Sequence, residues 1–501
     1  MALSTYLIGR GRRLSVSKTE YVLLCSWRKR SSPFSIKIRN FSSSPFTIGI
    51  LRETYDKWER RAPLGPSHVK DFLDEHPRSK VLVQPSSSRI FSNYDYQAAG
   101  ATLAEDLSKA DVILGVKRPR SLDILKPNKT YMFFSHVIKG QPENMGLLQD
   151  ILDKKIQLID YECILQDASS EGKPKRLVSF GKYAGMAGIT DSFQALGRRL
   201  LLKSWSTPFL NCPPAILHYN LDEVKRSVTI LGDRLATEGL PPDLEPLVFA
   251  MTGKGGNVQS GVREIFDLLP HEMITLHDLP KLHKESGPHY KVYGVELGVE
   301  DLYRRGEDLD LGHTFDRLDF MENPSQYIST FAEQVAPYTH LLLNCMYWDL
   351  RFPRLLTKDD MRRLYDEGNQ RYFKFEFRVV QERIFLIIFS FSSLTCRSAR
   401  LLVIADISCD VNGSIEFLER STTIDSPYFQ YDPISGTEVS SDIGEHGVTM
   451  LGVDILPTEL PVESSNHFGN AISQLLGEFV AANTGDGIDV SRLSERLVRR
   501  R

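Results

Sequence analysis

The six cysteines, at positions 25, 163, 212, 345, 396 and 409, include no C-x-x-C pair. A disulfide framework or a zinc site is therefore not expected, and no metal is assigned. Neither sign of charge dominates: 61 Lys and Arg stand against 64 Asp and Glu, a net charge of -3. Dedicated nucleic-acid binders are strongly basic, so no nucleic-acid partner is expected. The apolar runs Tyr21 to Trp27 and Arg383 to Phe391 are too short to cross a bilayer as helices, and no membrane partner is expected either. Internal repeats and low-complexity tracts are also lacking. One shortage is local. The first 45 residues hold nine Lys or Arg and ten Ser but a single acid, Glu20, which is the composition of a mitochondrial transit peptide. Residues 1–45 are read as that leader, with a mature protein beginning at the first strand and residing in the matrix.

At 501 residues the chain exceeds the size at which one core keeps growing, so two domains are expected. Hydrophobic content of 41% and charged content of 25% are ordinary for a globular protein. From residue 47 to about 185, short apolar runs alternate with helical patterns. Thr47 to Leu51, Lys80 to Val83, Asp111 to Val116, Tyr131 to Ser135 and Ile156 to Asp160 read as strands, and Ser67 to Glu75 and Glu143 to Lys154 as helices. That alternation predicts a parallel sheet with helices on both faces.

Several of these strands run into charge. Leu51 to Pro66 carries Arg52, Arg60, Arg61, Glu53 and Glu59; the run ending at Val116 meets Lys117-Arg118-Pro119; the run ending at Ser135 meets His136, with Lys139 beyond. Open α/β sheets bind ligands outside the carboxyl ends of their strands, so these cations are expected to meet in one cleft. A solvated loop is the alternative for any one of them alone.

Farther on, a helix from Gly185 to Leu202 is expected to lead out of the first domain. Pro246 to Met251 then reads as a buried strand, followed by Thr252-Gly253-Lys254-Gly255-Gly256-Asn257-Val258-Gln259-Ser260-Gly261 and an amphipathic helix from Val262 to Leu269. Strand, glycine turn and helix is the context a dinucleotide site requires: glycines let the backbone approach, and the helix amino end favours a pyrophosphate. An acidic ribose reader about twenty residues on would be Glu272 or Asp278. Leu341 to Asn344, Leu401 to Ile407 and Val448 to Val453 supply further strands.

Five ordered pieces, Trp58 to Pro66, Gly115 to Pro119, Phe133 to His136 with Lys139, Leu158 to Glu162 and Phe180 to Gly188, resemble the lysine-ketoglutarate reductase half of alpha-aminoadipic semialdehyde synthase. That half is related to lysine-forming saccharopine dehydrogenases and to the alanine dehydrogenase/transhydrogenase superfamily. The resemblance runs from about Thr47 to about Gly477. It implies two Rossmann-like, doubly wound parallel-sheet α/β domains with a cleft between them: residues 46–190 binding substrate, 191–460 binding NAD(P), and 461–501 returning to pack on the first domain.

What the resemblance implies chemically is an NADPH-dependent condensation of L-lysine with 2-oxoglutarate to saccharopine, the first step of lysine degradation. Its residues carry over as Lys117 and His136 for acid/base catalysis, and Arg61, Glu59, Lys139, Glu162 and Arg176 for substrate binding. Gly253, Gly255, Gly256, Asn257, Val258, Gly261, Asp406 and Asp454 carry over for the cofactor. The glycine turn has one residue more before Gly256 than the family's G-x-G-N-V-x-x-G. Residues 368–400 also depart from the family pattern, and fit an extra strand, an aggregation-prone insertion or a translated non-coding segment. The chain stops at Arg501, so it is expected to be monofunctional or a truncated product of a bifunctional enzyme. A homo-oligomer is compatible with the resemblance. The other readings are an amino-acid oxidoreductase of the alanine dehydrogenase type and a non-catalytic lysine-binding relative.

Overall fold

The structure is a computed structural model that describes residues 45–140, 142–166, 176–282, 288–306, 315–371, 379–380, 383–384, 400–439, 447–485, 487–494 and 497. The expected leader and most of the atypical 368–400 segment lie outside these residues.

Six strands form the first sheet: β1 (Thr47–Ile50), β2 (Lys80–Val83), β3 (Thr102–Leu103), β4 (Val112–Lys117), β5 (Thr130–Phe134) and β6 (Gln157–Asp160). All pair in parallel in the order β3-β2-β1-β4-β5-β6. Every residue of β4 and β5 is buried, as expected of parallel strands covered on both faces. The helix Pro66–Glu75 starts one residue before the expected Ser67, because Pro66 suits the first helical turn.

The helix Pro461–Ala482 joins this core through Phe468, Ile472, Leu475, Leu476 and Phe479. Phe468 stacks on Phe180 with centroids 4.8 Å apart and meets Tyr161 edge-on at 4.9 Å. Aromatic contacts of this kind add to plain area burial. The chain therefore crosses between the two cores twice, once near 181–202 and once near 455–461.

The second sheet has eight strands: β7 (Val248–Thr252), β8 (His271–Met273), β9 (Val292–Leu297), β10 (Leu341–Asn344), β11 (Val403–Asp406), β12 (Tyr428–Asp432), β13 (Thr437–Val439) and β14 (Val448–Leu451). Their order is β13-β12-β14-β11-β10-β7-β9-β8. Five of the pairings are parallel, while β12 runs antiparallel to both β14 and β13. That antiparallel edge was not anticipated.

The long helix is Gly181–Leu202, four residues longer at its start than the sequence pattern suggested. It crosses the helix Asn257–Phe266 backbone to backbone. A Cβ on Gly185 would lie 2.0 Å from the Val258 carbonyl oxygen, and one on Gly261 would lie 1.9 Å from that of Lys182. Asn257–Phe266 also corrects the expected Val262–Leu269, since the helix begins directly after Gly256.

Candidate functional site

The strand order reverses between β1 and β4, with β2 and β3 on one side and β5 and β6 on the other. Open α/β sheets leave a crevice at this switch point. The charged residues stand on its rim: the 51–65 loop follows β1, Lys117 ends β4, His136 follows β5 and Glu162 follows β6.

Lys117 is 8% exposed. Its ammonium reaches across to the second lobe, with Nζ 3.1 Å from Asp454 Oδ2, and lies 5.0 Å from the Tyr55 ring centroid. Tyr55 Oη donates to the same Asp454 oxygen at 3.3 Å. His136 sits in the left-handed region with φ 57°. Its Nδ1 lies 3.3 Å from Glu162 Oε1, and its ring stacks on Phe134. Arg176 Nη1 is 3.6 Å from the same Glu162 oxygen, and its side chain is half exposed. His136, Glu162 and Arg176 thus form one cluster. Lys139 ends the short turn Val137–Lys139; its side chain lies outside the described residues.

Arg61, expected to bind substrate, is paired within its own loop. Its Nε and Nη2 donate to Glu59 at 2.8 and 2.6 Å, and its guanidinium lies 4.3 Å from the Phe180 ring centroid. Both side chains are buried. Burial alone would raise the Glu59 carboxyl, but the Arg61 guanidinium outweighs it and holds Glu59 below its ordinary value. A buried guanidinium needs such a partner, and the loop supplies one two residues away.

Two features of this loop escaped the sequence reading. Glu53 turns back onto the end of β4, where its carboxylate accepts the N–H of Val116 at 2.6 Å and of Lys117 at 3.1 Å. Burial, with Glu59 adding repulsion, pushes it up to about 8. Lys57 Nζ and Trp58 Nε1 both donate to Asp425 of the second lobe, at 2.8 and 2.9 Å, and hold its carboxyl well below the usual range. More than 360 residues separate these partners, so no local pattern could have announced the contact.

In the second lobe a glycine turn follows β7. Gly253 and Gly255 have φ of 74° and 78°, a region that glycine enters without steric cost. Gly256 caps the helix Asn257–Phe266 with no side chain, and Gly255, Gly256 and Asn257 are exposed. A Cβ on Gly255 would meet nothing within 4 Å. The turn is therefore an open cradle beside the free N–H groups of a helix amino end, which suits a pyrophosphate. Val258 and Gly261 belong to the packing behind it: Val258 lies against Gly181, and Gly261 against Lys182.

The acids expected at the cofactor have partners within the chain. Asp454 pairs with Lys117. Asp406 is fully buried; its Oδ1 accepts from Asn344 Nδ2 at 3.0 Å and from Ser408 Oγ at 2.6 Å. It ties together the ends of β10 and β11 beneath the cleft surface. Burial pushes it up to about 7, and its Oδ2 has no hydrogen-bond partner among the described residues. Neither Glu272 nor Asp278 stands beside the glycine turn's own strand, because β9 and not β8 neighbours β7. Glu272 pairs with Lys291 at 2.6 Å and Asp278 caps Thr275. The backbone N–H of Lys254 instead donates to Leu297 at the end of β9, at 3.3 Å.

Residues 49–187 match the alanine dehydrogenase/PNT N-terminal domain family. The chain is 39% identical over 448 residues to an alpha-aminoadipic semialdehyde synthase of Arabidopsis thaliana, covering 87% of this chain and 38% of that protein. It is 35% identical over 447 residues to the mitochondrial alpha-aminoadipic semialdehyde synthase of Bos taurus, covering 89% and 45%. A saccharopine dehydrogenase [NAD(+), L-lysine-forming] of Emericella nidulans is 23% identical over 441 residues, covering 84% of this chain and 89% of that one. The chain thus spans less than half the length of the two synthases.

Proposed function

For a chain that is homologous over most of its own length to the alpha-aminoadipic semialdehyde synthases, we propose that the cleft joins L-lysine to 2-oxoglutarate and reduces the resulting imine to saccharopine at the expense of NADPH. The observation that carries this reading is the pair of titratable groups at neighbouring strand ends, Lys117 held against Asp454 and His136 held against Glu162. Losing water from a carbinolamine and protonating the product amine both need proton transfer near neutral pH. An imidazole is the side chain suited to exchange protons there, and the Lys117 ammonium is a donor at the neighbouring strand end.

The substrates bring carboxylates, for which Arg176 and Lys139 are the assigned cations. Arg61 acts through its buried pair with Glu59, which shapes the floor of the loop. The cofactor, when bound, supplies a hydride to the imine carbon. Gly253, Gly255, Gly256 and Asn257 would hold its pyrophosphate, and Gly261 keeps the helix amino end in place. Closure of the two lobes, tied by Trp58 and Lys57 to Asp425, keeps water from the imine. The basic, serine-rich first 45 residues and the mitochondrial relative support a matrix location for this activity.

The test is NADPH oxidation by the purified chain with lysine and 2-oxoglutarate supplied singly and together. Oxidation that requires both substrates is the expected result. Oxidation with ammonia and a 2-oxo acid alone would transfer the assignment to an alanine dehydrogenase type of reaction, and none from folded protein would leave a non-catalytic relative.

A further inference from the structure

The regular pairing of β1 with β4 ends at Ile50 and Leu114, followed by one last bond from the Leu51 N–H to the Leu114 carbonyl. On its other side, β4 loses register with β5: Leu114 faces Met132, yet Lys117 faces Phe134, so three steps on one strand match two on the other. An extra residue of this kind is a β-bulge, which bends the strand and re-aims a side chain. It also turns two consecutive N–H groups, those of Val116 and Lys117, toward the 51–65 loop. In a regular strand, successive N–H groups point to opposite edges.

Glu53 meets both of them, with Oε1 on Val116 and Oε2 on Lys117. Glu53 Oε1 also packs beside Gly115, where a Cβ would lie 3.5 Å from it, an ordinary contact, and 3.3 Å from Leu51 Cδ1. A carboxyl group places an acceptor oxygen on each of two atoms, one for each N–H. Buried N–H groups left unmet would be costly, so without Glu53 the bulge has no reason to persist. Beyond the bulge the Lys117 side chain leaves toward the other lobe, over Tyr55 and onto Asp454.

We propose that Glu53 is a positioning residue for Lys117: its two carboxyl oxygens hold the bulge at the end of β4 that aims the lysine ammonium across the cleft. The consequence for turnover rests on the reductase reading given above; the consequence for the lysine's direction does not.

The experiment compares wild type with Glu53→Met, which keeps the length and removes both acceptors, and with Glu53→Gln, which restores one. Two readouts are taken. Turnover is expected to fall about 10- to 100-fold in Glu53→Met, the scale of misplacing a reacting group by about an ångström, with KM for the dinucleotide little changed and partial recovery in Glu53→Gln. In a Lys117→Met background the Glu53→Met change should add little, since the group it aims is gone. The second readout needs no activity: the rate at which an amine-reactive reagent modifies Lys117, followed by peptide mass spectrometry. Lys117 should react several-fold faster in Glu53→Met than in wild type. If wild type oxidises no NADPH, the reductase reading fails and the labelling ratio alone decides the positioning role. Equal labelling, or losses that multiply with Lys117→Met, would overturn it. Should Glu53→Met not fold, Glu53→Gln is held to the same two criteria.

Discussion

The strand-end loops after β1 and after β7, one in each lobe, are made of opposite materials. Residues 51–62, after β1, present Glu53, Tyr55, Trp58, Glu59 and Arg61, each fixed by a named partner. Residues 253–256, after β7, present three glycines, two of them in the left-handed region. One wall works by placing charged side chains, whereas the other works by withholding side chains so that a ligand can meet backbone N–H groups. The first should fail when a side chain is removed, and the second when a methyl is added.

The largest expected effect tests the first wall. Lys117→Met should lower turnover by about 10²- to 10⁴-fold, the usual share of a general acid or base, and His136→Gln should act in the same direction, with dinucleotide affinity in both changed only modestly. Steady-state rates paired with fluorescence titration of NADPH decide this, and wild-type rates would remove both residues from the chemistry. Next comes one substitution made at two places in the second wall. Gly261→Ala puts a methyl 1.9 Å from the Lys182 carbonyl oxygen, so it should destabilise by about 1–3 kcal/mol or more through overpacking, read as a lower midpoint in urea. Gly255→Ala meets open space but keeps a φ of 78°. It should cost only about 1 kcal/mol in stability while weakening dinucleotide binding several-fold. Equal stability losses at the two sites would contradict the division between packing glycine and cradle glycine.

The smallest effect concerns the two chain crossings between the cores. Asp191 in the long helix and Glu459 on the returning crossover are both buried, and accept the N–H groups of Ala215 and Ile216 at 2.8 and 3.1 Å. Burial, and for Glu459 also the charge of Asp191, raises both carboxyls. The folded state then keeps a proton that the unfolded chain has released. Stability should therefore fall as pH rises from the ordinary carboxylate range, about 4, toward neutrality, and level off above the raised value. Asp191→Asn mimics the protonated form while keeping the acceptor for Ala215. Its thermal midpoint should depend less on pH over that interval, by a few degrees, with a wild-type slope counting against a raised Asp191 carboxyl.

The first sheet was legible because its strands are continuous apolar runs separated by helix-period segments, and β1, β2, β4, β5 and β6 fall within two residues of the expected positions. The helix Leu221–Glu238 was not read, although its signals are local. Asn220 caps it onto the Glu223 N–H, Gly239 closes it with φ 75°, and Val224, Val228, Leu231 and Leu235 line one face. Within the site, Lys117, His136 and Glu162 were found as strand-end charges. Arg61 and Glu59 were both read as substrate-binding residues, and their pairing with each other was not foreseen.

By itself the sequence determined where strands end in charge and where a strand ends in glycine, since both are patterns within about ten residues. Only the tertiary structure decided which groups those charges face. Lys117 and Asp454 are 337 residues apart, and Glu53 and Lys117 are 64 apart. Placing β9 instead of β8 beside β7, and so removing Glu272 and Asp278 from the cofactor turn, was likewise decided by strand order. Pairings of this kind depend on how sheets and lobes pack, and a carboxylate carries no periodicity that tells which distant N–H or ammonium it will meet.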